Sequence, residues 1–74
     1  VNGEAVSRRI VTLGGEMVRQ VGSHRRFRVV FHDADGKVHT VFTTVPMHRR
    51  DLPIGTLRSI QRDLAPALGG RWLT

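Results

Sequence analysis

Between Arg26 and His32, apolar and polar residues alternate with a period of two. Phe27, Val29 and Phe31 fall on one side, and Arg26, Arg28, Val30 and His32 on the other. This is the pattern of a β-strand with one buried face. Glu16 to Val21 reads as a shorter strand, and Gly22-Ser23 as the turn out of it. On the far side, Asp33-Ala34-Asp35-Gly36-Lys37 is a hairpin turn, with Asp35-Gly36 suited to the centre of a type I′ turn. That centre predicts Val29 opposite Phe42 on the core side, with Val30 opposite Val41 and His32 opposite His39 on the other. The third strand ends at Pro46, which cannot donate to a ladder.

Helical spacing flanks the strands. Asn2 can cap a helix with apolar positions at Val6, Ile10 and Leu13, the opposite side carrying Ser7, Arg8 and Thr12, and Gly14-Gly15 stopping it. After a polar loop from Met47 to Gly55, Thr56 can cap a second helix with Leu57, Ile60 and Leu64 on one face. Pro66 is expected to end or kink it, and Ala67-Leu68 with Trp72-Leu73 to return as apolar cover.

The order helix, three strands, helix defines an α+β chain, read as one domain over residues 1–74 without repeats or linkers. Two helices on one face of a three-stranded antiparallel sheet would bury Phe27, Val29, Phe31 and Phe42 and leave the arginine-bearing face open. A chain this short buries only about 60% of the surface its unfolded form exposes. Function is therefore expected on the surface rather than in a deep cleft.

Charge changes the picture. The formal net charge is +6, from eleven arginines and one lysine against six acids. Arginine favours bidentate contact with phosphate and stacking on flat rings. Between Glu16 and Asp33 there is no acid, while Arg19, Arg25, Arg26 and Arg28 all occur, a field that suits nucleic acid. A coding bias that replaces lysine with arginine, leaving a merely solvated face, explains the composition equally well. Without cysteine there is no disulfide or thiolate zinc site, which fits a reducing cytoplasm. No run approaches a membrane span, and the first residues lack the apolar core of a secretory signal, so a soluble, cytoplasmic protein is expected.

The densest chemistry lies in Gly22-Ser23-His24-Arg25-Arg26-Phe27-Arg28. A histidine at the start of the second strand stands beside cations that can bind phosphate. RNA carries its own nucleophile, the 2′-hydroxyl. A nuclease need only help deprotonate it or protonate the leaving 5′-oxygen, and stabilise the added negative charge, so no metal is required. Imidazole can serve in either role. Arg26 or Arg28 could hold the scissile phosphate. The bland reading of His24 is a turn histidine bonded to backbone. His32 and His39 could form a metal pair across the hairpin, although two imidazoles without a carboxylate or thiolate make a poor site. Paired carboxylates, a Walker loop and a serine triad are all missing from the sequence, which argues against a glycosidase, a kinase or a hydrolase of those kinds.

Three blocks, Val18-Arg19-Gln20-Val21-Gly22-Ser23-His24, Val45-Pro46-Met47-His48 and Leu52-Pro53-Ile54-Gly55-Thr56-Leu57-Arg58-Ser59-Ile60, resemble in order and spacing the HicA family of toxin-antitoxin toxins. The resemblance implies a double-stranded-RNA-binding-like fold, ribonuclease activity on messenger RNA, and a HicB-like antitoxin that blocks the active site. No cofactor is expected, and the toxin is expected to be monomeric when free and hetero-oligomeric with its antitoxin. By position the catalytic histidine falls on His24 and the Pro-x-His segment on Pro46 and His48. Ser23, Arg25, Arg26, Arg28 and His48 are the expected RNA contacts, His48 serving in proton transfer, capping or antitoxin contact. The chain departs from the family in having Arg25 where many members have a second histidine, and Arg49 where a small residue is frequent. Its tail after Asp63 is less typical. A non-catalytic RNA-binding module of the same fold is the alternative, and a protein-docking domain using exposed Val30 and Val41 a third.

Overall fold

The computed structural model describes residues 1–73, in the order α1 (Gly3–Thr12), β1 (Glu16–Val21), β2 (His24–His32), β3 (Val38–Pro46) and α2 (Ile54–Leu68). The strands form one antiparallel sheet in the order β1-β2-β3. Both helices pack on the same face of it, so the α-β-β-β-α architecture is the one that the patterning and the family resemblance imply.

The core between helices and sheet contains Val6 and Ile10 of α1, Phe27 and Val29 of β2, Val45 of β3, Ile60 and Leu64 of α2, and Leu52 and Trp72 from the flanking loops. Burial of these side chains is the main favourable term holding the layers together. Asn2 caps α1 as expected, its side chain accepting the Ala5 amide at 3.0 Å. Leu13 lies just past the helix and is exposed, while Ser7, expected on the polar side, is 3% exposed. It lies on the same helix face as Gly3, Val6 and Ile10, and its hydroxyl is satisfied there by donating to the Met47 sulfur at 3.4 Å.

Three expectations are corrected in the hairpin. Cross-strand partners are Val29 with Val41, Val30 with Thr40, Phe31 with His39 and His32 with Val38, one residue away from the predicted register. The cause is the turn. Asp33 accepts the Gly36 amide on its carbonyl at 3.0 Å and the Asp35 and Lys37 amides on its carboxylate at 2.8 and 3.0 Å. Asp33 therefore opens the turn, and among the described residues only glycines have positive φ, Gly36 at +82°. This is a three-residue loop closing on a left-handed glycine, not a two-residue Asp-Gly turn. A one-residue slip exchanges faces: Val41 joins the core side, Phe42 leaves it, and His32 no longer faces His39.

In α2 the cap is Pro53 rather than Thr56, which lies inside the first turn. Pro66 does not end the helix; it occupies the last turn, and the helix continues to Leu68 before Gly69 closes it. The tail does return as cover. Trp72 is buried, its indole N–H bonded to the Gln61 carbonyl at 2.8 Å.

Candidate active site

His24 is placed by both of its neighbours in the sheet. It pairs with Val21 of β1 across the Gly22-Ser23 turn and with Pro46 of β3 on the other side. Ser23 contributes its backbone here, its carbonyl accepting the Met47 amide. That bond ties the residue before His24 to the residue before His48. The two exposed imidazoles consequently meet, ring centroids 6.4 Å apart and planes at 81°. The root of the His48 loop is held from the other side by α1: a Cβ on Gly3 would meet the Pro46 carbonyl oxygen well inside contact distance.

Cross-strand partners share a face, and the face that carries His24 is the one turned away from the helices. A bulge between Met17 and Arg19 shifts the β1 register so that Arg19, instead of Val18, stands opposite Arg26. Arg19, Val21, His24, Arg26 and Thr44 line a shallow cleft of about 90 Å³. Arg26 is held in it by two contacts, donating from Nη1 to Thr44 Oγ1 at 3.0 Å and lying over the Phe42 ring at 5.0 Å from its centroid. Like charges facing across a ladder repel, and among the described residues no carboxylate pairs with Arg19 or Arg26. An anion between them would relieve that repulsion. In the sequence Arg19 stands out only as part of the basic stretch and of the Val18–His24 block, and strict alternation gives no sign of the bulge that turns it toward Arg26; Thr44 carries no signal at all.

The remaining arginines divide. Arg28 shares the outer face and is ion-paired with Glu16. Arg25 points to the helix side, where its Nε donates to Gln20 Oε1 at 2.9 Å and its guanidinium lies 3.6 Å from Glu4 of α1. The structure thus brings His24, Arg26, Arg28 and His48 to one region and places Arg25 across the sheet from it. Arg49 and Arg50 follow His48 in the exposed loop.

His39 is engaged elsewhere. Its ring stacks on Phe31 with centroids 5.3 Å apart, and its Nε2 lies 2.7 Å from Asp33 Oδ2. The His39 hydrogen bond and the Lys37 amide hold the Asp33 carboxyl below its ordinary range. Among the described residues no three histidine, cysteine or acidic side chains come together, and no helix is long and apolar enough to cross a membrane.

The open face of the small sheet thus presents two neighbouring histidines and a pair of arginines that face each other across a ladder. The family model of the HicA toxin of bacterial toxin-antitoxin systems matches residues 3–65, and the chain belongs to that family. It is thus a toxin of a toxin-antitoxin system. Neither a curated protein nor a solved structure matches the chain.

Proposed function

We propose that this toxin is a metal-independent endoribonuclease that cleaves messenger RNA, with His24 as the catalytic histidine. The observation that carries the reading is the meeting of His24 and His48 beside the Arg19–Arg26 pair. One imidazole takes the proton of the 2′-hydroxyl as its oxygen attacks phosphorus. The P–O5′ bond breaks, and the other imidazole gives a proton to the departing 5′-oxygen. The products are a 2′,3′-cyclic phosphate and a 5′-hydroxyl, so atoms and charge balance without a cofactor. Arg26, pinned by Thr44 and Phe42, neutralises charge developing on the phosphoryl oxygens, with Arg19 facing it across the ladder. Arg28 extends the cationic face, and Ser23 holds the turn by its backbone.

Silencing follows from exposure. A HicB-like antitoxin that covers this shallow site excludes RNA from His24, giving a free monomeric toxin and an inactive hetero-oligomer. Residues 1–74 would form the single domain that does this.

The test is cleavage of a ribo-oligonucleotide and of its 2′-deoxy counterpart in excess EDTA, followed by analysis of the ends. Cleavage of the ribo form alone, leaving cyclic phosphate, is expected. Cleavage of the deoxy form, or cleavage lost on chelation and restored by one divalent ion, would overturn the mechanism. RNA binding without cleavage would favour the non-catalytic module.

A further inference from the structure

We propose that the outer face of the sheet is a track for single-stranded RNA, with Phe42 the platform on which a base near the cleaved bond stacks. The inference rests on the nuclease reading above and names the form of RNA that the site accepts.

Phe42 is the reason. The hairpin register turns it away from the core, leaving it 43% exposed in the middle of β3 and opposite Arg28. Val30, 51% exposed, continues the same face in the next row out. Both helices pack on the opposite face, so no helix covers this one, and on it the Arg26 guanidinium lies over the Phe42 ring. The next row toward the site is Arg19, Arg26 and Thr44, and the row after it holds His24. From Phe42 to Pro46, the partner of His24, the strand advances roughly 13 Å at about 3.3 Å per residue. That is the scale of an extended dinucleotide.

The order of the side chains matches what a single strand presents. A nucleotide chain alternates flat bases with anionic phosphates, and here a flat ring is followed by a fixed guanidinium and then by the imidazoles. Arg26, lying over the ring and bonded to Thr44, is placed to take a phosphate beside a base that packs against the Phe42–Arg26 pair. A duplex cannot use the ring, because its bases are already stacked within the helix. Duplex RNA is recognised through phosphates and 2′-hydroxyls along its minor groove, whereas aromatic rings on an open sheet face take unpaired bases. An apolar protein segment would suit Phe42 and Val30 but would have to desolvate Arg19 and Arg26 without neutralising them. The charge favours the polyanion.

The experiment uses His24→Ala protein, which should hold RNA without cutting it, and a labelled oligoribonucleotide either single-stranded or annealed to its complement. Tighter binding of the single strand is expected. Phe42→Leu, which keeps an apolar side chain but no flat ring, should lose single-strand affinity about ten-fold or more. Phe42→Tyr should retain it, and duplex binding should be indifferent to both changes. Thermal unfolding of each variant checks that the fold is intact. Ultraviolet irradiation of the protein with Phe42 unchanged should crosslink a base to the β3 peptide. Equal single-strand affinity for Phe42→Leu, preference for duplex, or a crosslink confined to α1 or α2 would each overturn the track. So would a Phe42→Leu protein that loses antitoxin binding alone, since the face would then belong to the protein partner. If wild-type protein still cleaves RNA in those cases, the nuclease reading survives. Wild-type protein that neither binds nor cleaves RNA refutes both.

Discussion

The ring of His48 meets that of His24 edge to face, 6.4 Å between centroids, although one begins β2 and the other follows the end of β3. Their meeting is a backbone arrangement. The Met47 amide is bonded to the Ser23 carbonyl, and each histidine is the residue immediately after a partner in that bond. Both imidazoles are exposed, so neither contributes to the core, and substitutions there report on chemistry more than on folding.

His24→Ala should abolish RNA cleavage and growth arrest while leaving the melting temperature and RNA affinity nearly unchanged. A folded His24→Ala protein that cuts RNA at the wild-type rate would remove His24 from the mechanism.

His48→Ala should lower kcat by roughly a hundred- to ten-thousand-fold, the usual contribution of one acid-base group. The proposed base-and-acid pair calls for a bell-shaped pH-rate profile, of which His48→Ala should lose one limb. A reduced rate with both limbs preserved would make His48 a positioning residue instead.

Charge removal should act according to face. Arg26→Gln and Arg28→Gln should each flatten the salt dependence of single-strand binding by about 0.7 slope units per lost phosphate contact. Arg25→Gln, on the helix side with Glu4, should leave that slope nearly unaltered. If Arg25→Gln has the largest effect, RNA runs over the helix side of the sheet.

Gly3→Ala tests how the loop root is held. Its new methyl group would collide with the Pro46 carbonyl, a backbone atom with little room to move, and should cost about 1–3 kcal/mol. For a domain of this size that lowers Tm by about 4–8 °C per kcal/mol. Cleavage should fall as well, because Pro46 leads into His48. An unchanged Tm would show that α1 can slide away from the sheet.

Asp33 gives the hairpin a pH dependence of known sign. Its carboxyl is held below the ordinary value of 3.8, first by His39 and then by the Lys37 amide. A lowered folded value stabilises the turn above the unfolded value and is lost as pH falls through the folded one. NMR titration should therefore give an Asp33 midpoint below 3.8, with the Lys37 amide shift following it. Asp33→Asn should remove this acid-side dependence. An Asp33 midpoint at or above the ordinary aspartate value would refute it.

The sequence by itself determined the elements and their order. Alternation in β2, the Asn2 cap, the Gly22-Ser23 turn and the helical spacing of Ile60 and Leu64 are local signals, and local signals survive into the fold because each satisfies nearby backbone or marks one buried face. Three blocks of residues also sufficed to indicate the family. The tertiary structure decided which residues share a face. A side chain two ladders away depends on register, and register changed by one residue when Asp33 rather than Asp35 organised the hairpin turn, moving Val41 inward and Phe42 outward. A bulge at Val18 brought Arg19 to Arg26 by the same arithmetic, and a single bond from Met47 to Ser23 joined His48 to His24. With a period of two, one residue inserted or slipped reverses a strand's faces, and no property of the isolated strand records which reversal occurred.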